Sequence, residues 1–264
     1  MTMGEITTGA DETRELRIAR LTTADIGAAL SAGWSDFTRK PAQGLFFGGI
    51  YALGGILIAI SLAGLHLPWL IIPLAIGFPL LGPFAAVGLY EVSRRLEAGE
   101  QVTWRGVLAQ VFRQRERQMS WMAFAVLFIF WVWVYQVRLL MALILGFRIP
   151  ATLDAFATLV MTTPQGLAFL TIGTLVGAAI AALLFSVTVI SMPLLLDHDL
   201  DFVTAMLTSL RAVLANKGPM ALFGVIVALA TFASMLPAFL GLLVSLPVLG
   251  HATWHLYRRT IVGP

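Results

Sequence analysis

Cysteine is absent and charge is scarce. Without a thiol the chain forms no disulfide, no thiolate metal site and no cysteine nucleophile. Charged residues make up 12% of it and apolar residues 59%, whereas soluble domains carry about 25% charged residues. A chain so poor in charge cannot hide its apolar surface inside one globule, so lipid has to cover it. Also missing are a glycine-rich phosphate loop, a Ser-x-x-Lys pair and a Gly-x-Ser-x-Gly elbow. Nothing in the sequence therefore argues for an enzyme, and no cofactor is expected. Residues 1–20 lack the apolar core and cleavage site of a signal peptide. They read as a disordered cytoplasmic tail. The pI near 9.7 does not point to nucleic acid, because the basic residues flank apolar runs, where they set topology.

What is present is a series of long apolar runs. Hydrocarbon offers backbone groups no water, so such runs are helices or a closed barrel. Barrel strands alternate in polarity over about ten residues; these runs are continuous and longer, which predicts helices. A span takes about 20 residues. The spans expected are 44–65, 68–90, 119–145 and 167–196, followed by an apolar stretch from Pro219 to Tyr257. That stretch is too long for one crossing and long enough for a tight hairpin. Short cytoplasmic loops carry the Lys and Arg. Arg14, Arg17, Arg20, Arg39 and Lys40 put the N-terminus inside, and Arg94, Arg95, Arg105, Arg113, Arg115 and Arg117 the second loop. Arg211 with Lys217, and Arg258 with Arg259, are likewise inside, so an even number of crossings separates them. The last stretch then splits into 219–235 and 238–257, turning near Ser234 to Ala238 around Pro237. The expected architecture is an all-α membrane protein, residues 21–264 forming one six-span domain with both ends cytoplasmic.

An internal repeat is expected as well. A polar, helix-compatible stretch precedes each hairpin: Thr23–Thr38, Thr103–Gln118 and Phe202–Asn216. Each shows apolar residues at helical spacing: Ile26, Leu30, Trp34 and Phe37 in the first; Trp104, Val107, Leu108, Val111 and Phe112 in the second; Phe202, Ala205, Met206, Leu210, Val213 and Leu214 in the third. Two readings stand: helices lying in the membrane interface, or helices packed on the bundle's inner end. The second span of each hairpin holds a proline, Pro83, Pro193 or Pro247. Arg94-Arg95 and Arg258-Arg259 follow Pro83 and Pro247 at equal offsets, as do Tyr90 and Trp254. Three units of amphipathic helix, span and proline-containing span make a pseudo-threefold plan of the kind membrane bundles use.

Superposing the prolines aligns Glu91, Asp201 and His255 at one level, and Val87, Asp197 and His251 at another. His251 and His255 share a helix face. Around a threefold axis, Glu91, Asp197, Asp201, His251 and His255 would form a polar cluster at the inner end. Ionisable groups at that depth suggest function, such as a proton relay or a divalent metal on His251 and His255. The plainer reading puts the carboxylates in water at the span ends and the histidines on loop carbonyls. Asp197-His198-Asp199-Leu200-Asp201 lacks the glycine and terminal glutamate of a calcium loop, so capping of the helix at Phe202 is expected. Arg138 is expected to snorkel to the outer surface, or with Gln136 to line a polar path. Gly173 and Gly177 form a small-xxx-small packing motif.

Four stretches carry a resemblance. They are Ala-Gly-Trp-Ser-Asp at Ala32–Asp36; Gly82-Pro83 with Gly-Leu-Tyr-Glu-Val-Ser-Arg-Arg at Gly88–Arg95; Ser-Met-Pro-Leu-Leu-Leu-Asp at Ser191–Asp197; and the run from Pro247 to Arg259. In these the chain resembles the bacterial family known as domain of unknown function 2189. The resemblance implies a multi-pass protein of the bacterial inner membrane and brings no catalytic residues. Members sometimes bear the label cytochrome c oxidase subunit I. The four histidines here are too few for that subunit's haem and copper ligands, although the label leaves room for an accessory role beside an oxidase. The functions expected are an accessory or assembly partner of another membrane complex, or a small-solute or ion transporter using the polar cluster. The partners expected are the lipid bilayer and such a complex.

Overall fold

The structure, a computed structural model, describes residues 16–63, 85–115, 119–146 and 153–263. Nearly everything described is helical. After a two-residue strand β1 (Arg17–Ile18) come α1 (Thr23–Arg39), α2 (Pro41–Ala63), α3 (85–97), α4 (Trp104–Arg115) and α5 (Met119–Leu140). One wider turn, Met141–Leu145, extends α5. Then follow α6 (Leu153–Thr162), α7 (Pro164–Thr188), α8 (Ser191–Asp197), α9 (Phe202–Ala215), α10 (Lys217–Met235), α11 (Leu242–Thr260) and β2 (Ile261–Val262). Three of these stretches are long and apolar enough to cross a membrane: Ser120–Leu145, Pro164–Asp197 and Lys217–Met235. They coincide with the third, fourth and fifth runs read from the sequence. The long fourth run is broken by a turn at 189–190, between α7 and α8.

The first expected span falls in α2. Residues 64–84, and with them Pro83 and most of the second expected span, lie outside the described residues, as does the tail up to residue 15. The last expected span falls in α11, which is not among the three apolar stretches; its C-terminal half carries His251, His255, Arg258 and Arg259. The chain turns between α10 and α11 at 236–241, where Ala238 and Phe239 take positive φ of 51° and 65°.

Two compact units are present. One comprises the described residues up to Phe124 together with those from Ser186; the other is Ala125–Phe185. In the first unit α11 is the central element, packed by α1, α2, α10 and α8. A capping box starts α1: Asp25 N–H donates to Thr22 Oγ1, and Thr22 N–H donates to Asp25 Oδ2. The buried face of α1 is Ile26, Ala29, Gly33, Asp36 and Phe37. At Gly33 the two backbones nearly touch: a Cβ there would sit 2.6 Å from Ala252 N and Val248 O. Gly48 of α2 approaches α11 in the same way, 2.9 Å from Leu243 O. Against α3, Leu89 meets Gly250, Ser93 meets His251 and Glu97 meets Trp254. These pairs advance together, so α3 and α11 run parallel. Gly33→Leu should force α1 off α11 and destabilise the unit by about 3 kcal/mol, read as a drop in thermal midpoint in detergent. The same change at Gly27, which has open space around it, should cost far less.

The apolar stripes of the three short helices divide between core and surface. Ile26, Phe37, Val107 and Ala205 are buried, whereas Trp34, Trp104, Phe112 and Leu214 are exposed. Small residues share the buried faces: Ala29 and Gly33 in α1, and Ala205, Ser209 and Ala212 in α9. Close helix approach selects small side chains, and the large apolar ones are turned outward.

Candidate functional site

Polar side chains converge in the first unit where α1, α3, α8 and α11 end or cross. Buried Asp36 of α1 lies on the same face as Ile26 and Gly33, so packing carries it into the contact with α11. There His255 Nε2–H donates to Asp36 Oδ2 at 2.7 Å. Ser93 of α3 lies near the same carboxylate. Burial pushes this carboxyl up, but the hydrogen bond from His255 and the neighbouring Ser93 hydroxyl and imidazoles outweigh it, and the carboxyl is held below its ordinary value. Ser93 Oγ lies 2.8 Å from His251 Nδ1. The result is a chain of groups, His255, Asp36, Ser93 and His251, joining α1, α3 and α11. The Nε2 of fully buried His251 has no hydrogen-bond partner among the described residues.

A second cluster lies on α3. Glu91 is fully buried and accepts from Arg94 Nε at 2.7 Å, Arg94 Nη2 at 3.0 Å and Arg95 Nε at 2.6 Å. The charge-assisted bond from Glu91 raises the Arg94 guanidinium above its ordinary pKa. Both arginines also lie 3.7 Å from Glu100. A third cluster ties helix ends together. Arg258 of α11 donates to Glu97 of α3 at 3.1 Å and to Asp197 of α8 at 3.3 Å. Trp254 Nε1–H donates to Glu97, and the Tyr257 hydroxyl donates to Asp197, both at 2.8 Å.

The residues aligned on the prolines therefore separate. Glu91 is buried rather than in water and belongs to its two arginines. His251 and His255 lie on the serine–aspartate chain, each with a different partner. Asp197 joins the helix-end cluster. Asp201 is apart: exposed, it accepts from Thr204 N–H at 2.9 Å and caps α9, and this bond holds its carboxyl below the usual range. No group of three or more His, Asp or Glu suited to a metal occurs among the described residues. Asp36, Ser93 and Glu97 were not singled out in the sequence. For Asp36 a signal existed, a carboxylate on a face otherwise made of Ile26, Ala29, Gly33 and Phe37. In the second unit, Gly173 and Gly177 line a groove with Trp133, Val137 and Leu140. Arg138 is exposed, and the buried Gln136 amide has no partner among the described residues.

No curated protein and no solved structure matches this chain. Residues 71–197 match the model of domain of unknown function 2189, a family described as predicted integral membrane protein.

Proposed function

We propose that this integral membrane protein is an accessory or assembly partner of another membrane complex in the bacterial inner membrane. The observation that carries the reading is that the charged members of the polar cluster are paired internally, although His251 Nε2 has no partner among the described residues. Glu91, Asp197 and His255 each hold an intramolecular partner at 2.6–3.3 Å. A carboxylate bound by two arginines is poorly placed to pass ions or protons, so the cluster acts as a clasp holding helices together. That weighs against the alternative, a transporter or channel built on the same residues. The surface left for function is the apolar exterior. A respiratory oxidase is the first complex to look for. Native membranes solubilised in mild detergent should yield the protein in a stoichiometric larger assembly; consistent recovery as a lone monomer would sink the reading.

The six-span topology, one membrane domain from residue 21 with both ends cytoplasmic, belongs to this proposal. Several contacts support it. β1 pairs antiparallel with β2, Ile18 opposite Ile261, so the described residues nearest the two termini lie side by side. Asn216, just before α10, bonds Ala19 O and Leu21 N–H, and Arg259 bonds Asp25. Segments read as cytoplasmic from their arginines and lysines thus gather at one end. The Arg258 bridge between Glu97 and Asp197 likewise joins α3, α8 and α11.

A further inference from the structure

One side of α4 has a composition that neither water nor a protein core explains. Val107 is buried, whereas Trp104, Arg105, Phe112 and Arg113 are exposed, Phe112 by 62%. Neither Arg105 nor Arg113 forms an ion pair among the described residues, unlike Arg94, Arg95, Arg258 and Arg259. Three residues separate the end of α4 from the start of α5, a chain reach of about 14 Å at most. Since the apolar stretch of α5 begins at Ser120, α4 lies within that distance of the point where a span enters the bilayer. The Trp104 ring also stands edge-on to Phe46 at 5.3 Å. Phe46 is exposed near the start of α2, so aromatic surface continues to the foot of a second apolar helix. Aromatic rings at that level mark the headgroup zone. Helices that mix large apolar and cationic side chains on one side lie in it.

Charge decides which lipid. Two guanidiniums with no carboxylate partner among the described residues present paired donors that match a phosphate. We propose that this side of α4 binds anionic phospholipid headgroups, with Arg105 and Arg113 on the phosphates and Phe112 inserted beneath them. The proposal does not depend on the accessory role.

The absence of cysteine makes the test direct, because any introduced cysteine is the sole labelling site. The full chain carrying Phe112→Cys, or Ala109→Cys with Phe112 intact, is spin-labelled and reconstituted into phosphatidylcholine vesicles with or without phosphatidylglycerol. The label at 112 should lie roughly 5–10 Å below the headgroup surface, relaxed by oxygen and shielded from a water-soluble collider. Arg105→Gln and Arg113→Gln should each weaken phosphatidylglycerol binding about fivefold, measured by native mass spectrometry of lipid-bound protein. Labels freely reached by the water-soluble collider at both positions would overturn the proposal. So would unchanged phosphatidylglycerol binding in the double variant, or protection that appears only in the native complex and so points to a protein partner.

Discussion

Replacing Glu91 with alanine is expected to destabilise the protein by about 3 kcal/mol. Its carboxylate is fully buried and takes three N–H bonds from Arg94 and Arg95. Removing it leaves two guanidiniums facing a void. Both arginines are partly exposed and already lie near Glu100, so they can swing toward water, which sets the loss at the low end for a broken buried pair. Glu91→Gln should fall between wild type and Glu91→Ala, since one neutral carbonyl cannot satisfy both cations. Arg94→Ala or Arg95→Ala alone should cost about 1 kcal/mol, because the other arginine remains on Glu91. The informative variant is Glu91→Ala with Arg95→Ala. It removes part of the orphaned charge, so its loss should be smaller than the sum of the singles. Thermal unfolding in one detergent at fixed pH reads all of these. A shift for Glu91→Ala no larger than an ordinary surface change, within about 0.5 kcal/mol, would mean that the two arginines do not depend on it.

The sequence showed α1, α4 and α9 well, because apolar residues at helical spacing and a cap at each start leave a strong local pattern. Thr22 with Asp25, and Asp201 with Thr204, are local signals of this kind. It left two environments open for their apolar stripes, the membrane interface and the end of the bundle. A 3.6-residue rhythm assigns the largest apolar residues to the packed face, and that rule holds when the surroundings are water. Here Trp34 and Phe112 face out and Gly33 faces in. The polar site was half legible. Glu91, His251 and His255 stood out as ionisable groups in apolar context. Their partners did not, because partnership depends on contacts between residues far apart in sequence. Asp36 and His255 are 219 positions apart, and Ser93 and His251 are 158. Aligning the prolines gave a level for each residue along its helix, but no direction around it. That is why Asp201, at the same level as Glu91 and His255, turns to its own helix as a cap.

Loss of the Asp36 carboxylate should be the second large effect, and its signature is a pH dependence. Asp36→Ala removes a hydrogen-bonded charge from between α1, α3 and α11 and leaves His255 without its carboxylate partner. A cost of about 2–3 kcal/mol at neutral pH follows for bonds to a charged group. The folded-state pKa of Asp36 lies below 3.8, so at acid pH the unfolded chain takes up this proton first. Its contribution is therefore complete above the unfolded value and disappears as pH falls through the folded one. Wild type should lose stability more steeply than Asp36→Asn over that acid interval. Asp25 and Asp201, which are also depressed by capping bonds, remain in both proteins, so their share cancels in the comparison. The difference between the two melting curves should shrink as pH falls below about 4. If it stays constant throughout the acid range, Asp36 is not held as a carboxylate by His255 and Ser93. His255→Ala distinguishes the two donors: it should remove much of the neutral-pH stability that Asp36→Ala removes, and the double variant should cost little more than either single change. A fully additive double variant would show that the two side chains act separately.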